Sequence, residues 1–129
     1  DADDVALPQR FEEQVAFLEK NPEYGLVGSY IKLIPENYVV QVPVSNEEIQ
    51  SAIIFHNPFA HPAVMFRNEL VKKYNLFYDE NIKFAQDEEL WYRFSKYCKC
   101  FNIPEVLMEY RIHSNQVSFE KLNQQKELK

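Results

Sequence analysis

Two glycines in 129 residues, Gly25 and Gly28, set the strongest limit on what this chain can build. A Walker loop or a dinucleotide-binding turn needs several glycines at fixed spacing, because the backbone there must approach a phosphate closely. Neither loop can be drawn here, so a bound nucleotide must be held differently. The net charge of −6 is spread along the chain without a Lys/Arg stripe, which argues against nucleic acid as a main partner. An anionic substrate would then need a metal ion between it and the protein.

With 46% hydrophobic and 15% aromatic residues, the chain can bury one modest core. Cys98 and Cys100 are its only cysteines; a disulfide framework is excluded and a reducing compartment is favoured. No apolar run approaches the roughly 20 residues that span a bilayer, and no signal-peptide pattern opens the chain. The start, without Met and with three acids in its first four residues, reads as a cut through a larger domain.

Pro8 suits a first helical turn, and Leu7, Phe11, Val15 and Leu18 recur at helical spacing until Asn21-Pro22 stops them. A strand from Gly25 to Ile34, a turn at Pro35-Glu36-Asn37 and a second strand from Tyr38 to Val44 predict a hairpin. Ser45 with Glu48 has the capping-box pattern, predicting a helix that runs to about Phe55. His61 to Phe66 reads as a short strand after a proline turn, and Asn68 as the cap of a brief helix. A third amphipathic helix is predicted over 86–97, with Leu90, Trp91 and Phe94 on one flank. A last strand is predicted over 105–113, after Pro104.

Asp1, Asp3 and Asp4 concentrate hard oxygen donors suited to Mg2+ or Mn2+ and to a diphosphate bridged by that ion, but taken alone they read first as an acidic helix start. Asp87 could accept a hydroxyl proton if a cleft placed an acceptor beside it; Glu88 and Glu89 read as complements to the helix dipole. Trp91 fits core packing, with a sugar-stacking role as the alternative. His61, before Pro62, and His113, at the end of the last strand, are candidate ligands or acceptor contacts, whereas His56 reads as structural. Cys98 and Cys100 read as small buried hydrophobes.

In order, these segments resemble family 2 glycosyltransferases of the GT-A fold. Asp1-Ala2-Asp3-Asp4 and the helix beginning Leu7-Pro8-Gln9-Arg10 are similar to that family's DXD motif and following helix. His61-Pro62-Ala63-Val64-Met65-Phe66-Arg67 is similar to its central HP-x-VMFR strand. Phe84-Ala85-Gln86-Asp87-Glu88-Glu89-Leu90-Trp91-Tyr92-Arg93 is similar to its AED-x-DLW-x-R segment, and Tyr110-Arg111-Ile112-His113 to its closing YR-x-H element. The resemblance implies an α/β chain forming part of a GT-A, nucleotide-diphospho-sugar transferase, fold: helices packed on a small mixed sheet with an antiparallel hairpin. Residues 1–118 would form the acceptor-side, C-terminal part of the domain, and 119–129 a polar tail.

The resemblance further implies inverting transfer from a nucleotide diphosphate sugar to an acceptor hydroxyl on a saccharide or lipid-linked glycan, in polysaccharide or glycan biosynthesis. Asp1 and Asp3 would hold Mg2+ or Mn2+ and the nucleotide sugar, His113 would complete the metal contacts, and Asp87 would be the catalytic general base. His61 and Trp91 are candidates for the acceptor site. The protein would be cytoplasmic, at the inner face of the membrane in its parent form. Gln86 stands where the family has Glu, which leaves Asp87 as the sole base. The family's N-terminal half is missing from this stretch, so the piece alone is expected to be inactive. The alternative readings are a non-catalytic module that self-associates as a homodimer through an exposed face, and a metal-dependent phosphohydrolase, which would leave the later motifs unexplained.

Overall fold

The computed structural model describes residues 4–78, 81 and 86–111. Among them are five strands, β1 (Asp4–Ala6), β2 (Tyr24–Ile34), β3 (Tyr38–Val40), β4 (Met65–Phe66) and β5 (Lys99–Arg111), and four helices, α1 (Arg10–Lys20), α2 (Asn46–Ala52), α3 (Asn68–Tyr74) and α4 (Gln86–Phe94). The strands form one mixed sheet in the order β1-β5-β2-β3, with β4 also paired to β2. At its centre β2 and β5 run parallel, from Tyr24 opposite Lys99 to Ile34 opposite Arg111. The other pairings are antiparallel: β1 on β5, and β3 and β4 on β2. This is the α/β class with helices on a mixed sheet and an antiparallel hairpin, the arrangement expected for part of a nucleotide-sugar transferase fold.

The near-continuous apolar run of β2 reflects burial on both faces, as in parallel strands covered by helices. Leu26 joins a cluster with Ile49, Ile53, Val71, Leu90, Trp91, Phe94 and Cys100, the layer made by α2, α3 and α4. Its neighbour Val27 faces the opposite way and packs with Leu18, Ile103 and Leu107 under α1. The two glycines are explained by this crowding and not by any turn. A Cβ on Gly25 would lie 2.3 Å from Leu70 Cδ1 and 2.7 Å from Cys98 Sγ. One on Gly28 would lie 2.3 Å from Asn102 Oδ1. Asn102 is fully buried, and its amide donates to the carbonyls of Pro43 (2.7 Å) and Pro58 (2.8 Å), tying two irregular segments to β5.

Several elements depart from the sequence expectations. The periodicity of Leu7, Phe11, Val15 and Leu18 locates α1 and its buried Leu18 but misses the rest of its buried face: Phe11 is 61% exposed, whereas Gln14 is fully buried. Gln14 goes inside because its amide donates to the Ala63 carbonyl at 2.6 Å and its Oε1 accepts from Arg10 Nε at 3.0 Å, which removes the cost of burying it. The hairpin strand β3 ends at Val40, not Val44. Pro43 has no N–H to offer a ladder, and the Val44 carbonyl accepts from Asn102 N–H on the far side of β5. Helix α2 has the predicted capping box between Ser45 and Glu48 but ends at Ala52. His61–Ala63 is a 3-10 turn and not a strand start; Ala63 N–H closes it on the Ala60 carbonyl. Helix α3 begins at Asn68 itself, after Arg67, without a side-chain cap. Helix α4 stops at Phe94. Strand β5 starts six residues before the predicted strand and passes through Pro104, because the register skips Pro104 and Glu105 between Ile103 and Val106, and a bulge tolerates the missing N–H.

Among the described residues no helix is long and apolar enough to cross a membrane. The predicted polar tail, 119–129, lies outside the described residues.

Two expectations follow. Gly28→Ala must displace the pinned Asn102 amide and should cost about 1–3 kcal/mol of stability in urea unfolding of the chain. Glu13 on α1 has its pKa raised, by desolvation first and then by the charge and hydrogen bond of Glu105 on β5. A carboxyl whose folded pKa exceeds its unfolded value binds its proton more tightly when folded, so its ionised form works against the fold above that pKa. Glu13→Gln should therefore unfold at higher denaturant than the parent at pH 7. The difference should vanish once the pH falls below about 4, where both states hold the proton.

Candidate active site

Helix α4 opens on Gln86-Asp87-Glu88-Glu89, and acids in a first turn complement the helix dipole. The buried flank of Leu90, Trp91 and Phe94 fixes its rotation on the sheet. Four residues join its end to the start of β5, and its buried flank packs on Leu26 and Cys100, near the amino ends of β2 and β5.

Asp87, half-buried in that turn, accepts a hydrogen bond from the Tyr78 hydroxyl at 2.7 Å. Partial burial, and then the hydrogen bond and charge of Asp87, push the Tyr78 phenol above its ordinary range. Tyr78 therefore stays protonated at neutral pH and serves as a donor. The segment carrying it is secured at both neighbours. Leu76 is buried in the core, and the Phe77 carbonyl accepts from Arg93 Nη2. The Arg93 guanidinium is in turn held by both Glu89 oxygens, at 2.6 and 2.9 Å.

The remaining candidates fall in different places. Asp1, Asp3 and His113 lie outside the described residues. Asp4 opens β1 opposite Tyr110, so the chain enters β1 and leaves β5 at one end of the sheet, the carboxyl end of the parallel pair. His61 begins the 3-10 turn. Trp91 is 2% exposed, its ring packed edge-on against Phe59 and tilted against Phe94 and Phe66, which makes it a core residue of the described fold. Cys100 is fully buried, and Cys98 is half-buried beside the same cluster. Among the described residues no three His, Cys, Asp or Glu side chains gather as a metal site.

The motif residues around His61 are held by cations and amides from elsewhere in the chain. Arg10 donates to the Val64 carbonyl at 3.2 Å, beside the Gln14 bond to Ala63. Arg67 closes the end of α1: its guanidinium donates to the carbonyls of Leu18, Asn21 (3.2 Å) and Tyr24 (2.7 Å). A shallow groove lined by Val15, Leu18, Met65, Phe66 and Arg67 lies beside it and includes neither Asp87 nor Tyr78. Reasoning from sequence did not single out Tyr78. Its only signal is a hydroxyl-bearing aromatic nine positions before the acidic turn, and folding is what brings the two together.

No protein-family profile matches the chain. Over most of its length it is similar to proteins named glycosyltransferases. It is 34% identical over 120 residues to the O-antigen biosynthesis glycosyltransferase WbnJ of Escherichia coli, covering 88% of this chain and 46% of that protein. It is 33% identical over 122 residues to the amylovoran biosynthesis glycosyltransferase AmsE of Erwinia amylovora, covering 92% of this chain and 45% of the relative. An uncharacterized glycosyltransferase of Haemophilus influenzae is 30% identical over 130 residues, 92% of this chain and 40% of its own length. The chain thus spans a little under half the length of these relatives.

Arg67 acts here as a brace for backbone carbonyls, which an ammonium at the same position could not reach with the same fork. Arg67→Lys should lower stability by about 1–3 kcal/mol in urea unfolding.

Proposed function

We propose that this chain forms the acceptor side of a metal-dependent, inverting glycosyltransferase site of the family 2 type, acting in polysaccharide or glycan biosynthesis. The observation that carries the reading is the pairing of Asp4 with Tyr110, which puts the strand residues that adjoin the stretches carrying Asp1, Asp3 and His113 side by side at the carboxyl end of the parallel pair. The similarity to proteins named for O-antigen and amylovoran biosynthesis supports it.

In this reading Asp87 accepts the proton of the acceptor hydroxyl as that oxygen attacks the anomeric carbon of the donor from the side opposite the leaving diphosphate. Asp1 and Asp3 would bind the Mg2+ or Mn2+ that bridges the nucleotide diphosphate, with His113 completing the set; two carboxylates and an imidazole fit a hard divalent cation. When bound, the ion stabilises negative charge on the departing diphosphate. The acceptor is a saccharide or lipid-linked glycan, with His61 near its path. The two free cysteines fit a reducing, cytoplasmic setting.

The test uses the full-length product of the gene encoding this chain. Transfer and hydrolysis are measured from a panel of UDP-, GDP- and dTDP-sugars with and without Mn2+, alongside Asp87→Asn. Transfer should require the metal, and Asp87→Asn should lower kcat by roughly 10²–10⁴-fold. An Asp87→Asn enzyme that transfers at the parental rate would remove the base from Asp87. Absence of metal-dependent nucleotide binding, with a homodimer in solution, would favour the self-associating module instead.

A further inference from the structure

The Tyr78–Asp87 contact is out of place for a purely structural hydrogen bond. Tyr78 is 44% exposed, so its ring is not there to fill the core. Its hydroxyl nevertheless meets Asp87 Oδ1 at 2.7 Å, the short range of a charge-assisted bond. The backbone that presents it is anchored in two ways: buried Leu76 precedes it, and Arg93 holds the Phe77 carbonyl while being clamped by Glu89. Four side chains and one carbonyl thus converge to fix where a single phenol oxygen lies.

The carboxylate of an aspartate turns about a broad, two-fold torsion, so its oxygens have no sharply preferred direction of their own. An acceptor hydroxyl, by contrast, must meet a base at a defined angle and distance. We propose that Tyr78 is a positioning residue for the base. It pins one oxygen of Asp87 and so sets the plane of the carboxylate that receives the acceptor proton. This rests on Asp87 being the general base. Tyr78 moves no proton itself: burial and the adjacent carboxylate hold its own proton in place. Arg93 and Glu89 act one step further back, through the Phe77 carbonyl.

The experiment compares Tyr78→Phe, Asp87→Asn and the double variant in the full-length product, using the same UDP-, GDP- and dTDP-sugar panel with Mn2+. Tyr78→Phe removes one oxygen and keeps the ring. It should lower kcat for transfer on the order of 10-fold while leaving the donor KM and the melting temperature at parental values. In the Asp87→Asn background the same change should have no further effect, because there is no base left to orient. Full kcat in Tyr78→Phe alongside an impaired Asp87→Asn would overturn the positioning role and leave the base intact. An equal loss from Tyr78→Phe in both backgrounds would overturn it too, as would a raised donor KM with kcat unchanged. Parental activity in Asp87→Asn would overturn the base and the positioning role together.

Discussion

The parallel pairing of β2 with β5 is the constraint on which the rest of the molecule depends. Parallel neighbours cannot be joined by a tight turn, so the chain between Ile34 and Lys99 is one long crossover. That crossover has to cover one face of the sheet, and α2, α3 and α4 do so through the cluster around Leu26, Trp91 and Phe94. It must also return to the start of β5, and α4, joined to that strand by four residues, is the last helix before the return.

Burying β2 on both faces brings a second demand. Irregular segments that cross such a sheet carry carbonyls with no ladder to join, and each needs a donor. The chain supplies them from a few long polar side chains. Asn102 serves Pro43 and Pro58, Gln14 and Arg10 serve Ala63 and Val64, and Arg67 serves the end of α1 and the start of β2. Donating from buried or half-buried positions, these groups also define a single arrangement of the loops. The conspicuous motif around His61 is held in place by Gln14 and Arg10 and, through its own Arg67, by the end of α1 and the start of β2.

Helices and the central strand were legible from the sequence because their signals are local: the capping box at Ser45, the acidic turn and apolar flank of α4, the apolar run of β2. What escaped was set by partners distant in sequence. The buried face of α1 depends on Gln14 finding carbonyls at Val27 and Ala63. The end of β3 depends on Val44 meeting Asn102, and the continuity of β5 through Pro104 depends on a bulge opposite Ser29 and Tyr30. Of the candidate site, Asp87 was legible as an acid poised on a helix start. Tyr78 was not, because nothing in its neighbourhood of the chain marks it until the fold places its hydroxyl on that acid.

A crystal structure of the full-length product with Mn2+, an unreactive nucleotide-sugar analogue and acceptor would show the proposed geometry itself. The ion should lie beside Asp1 and Asp3, and an Asp87 oxygen within about 2.6–3.2 Å of an acceptor hydroxyl, with Tyr78 still bonded to the carboxylate. A donor bound at any other edge of the sheet, or an acceptor hydroxyl beyond the reach of Asp87, would contradict it.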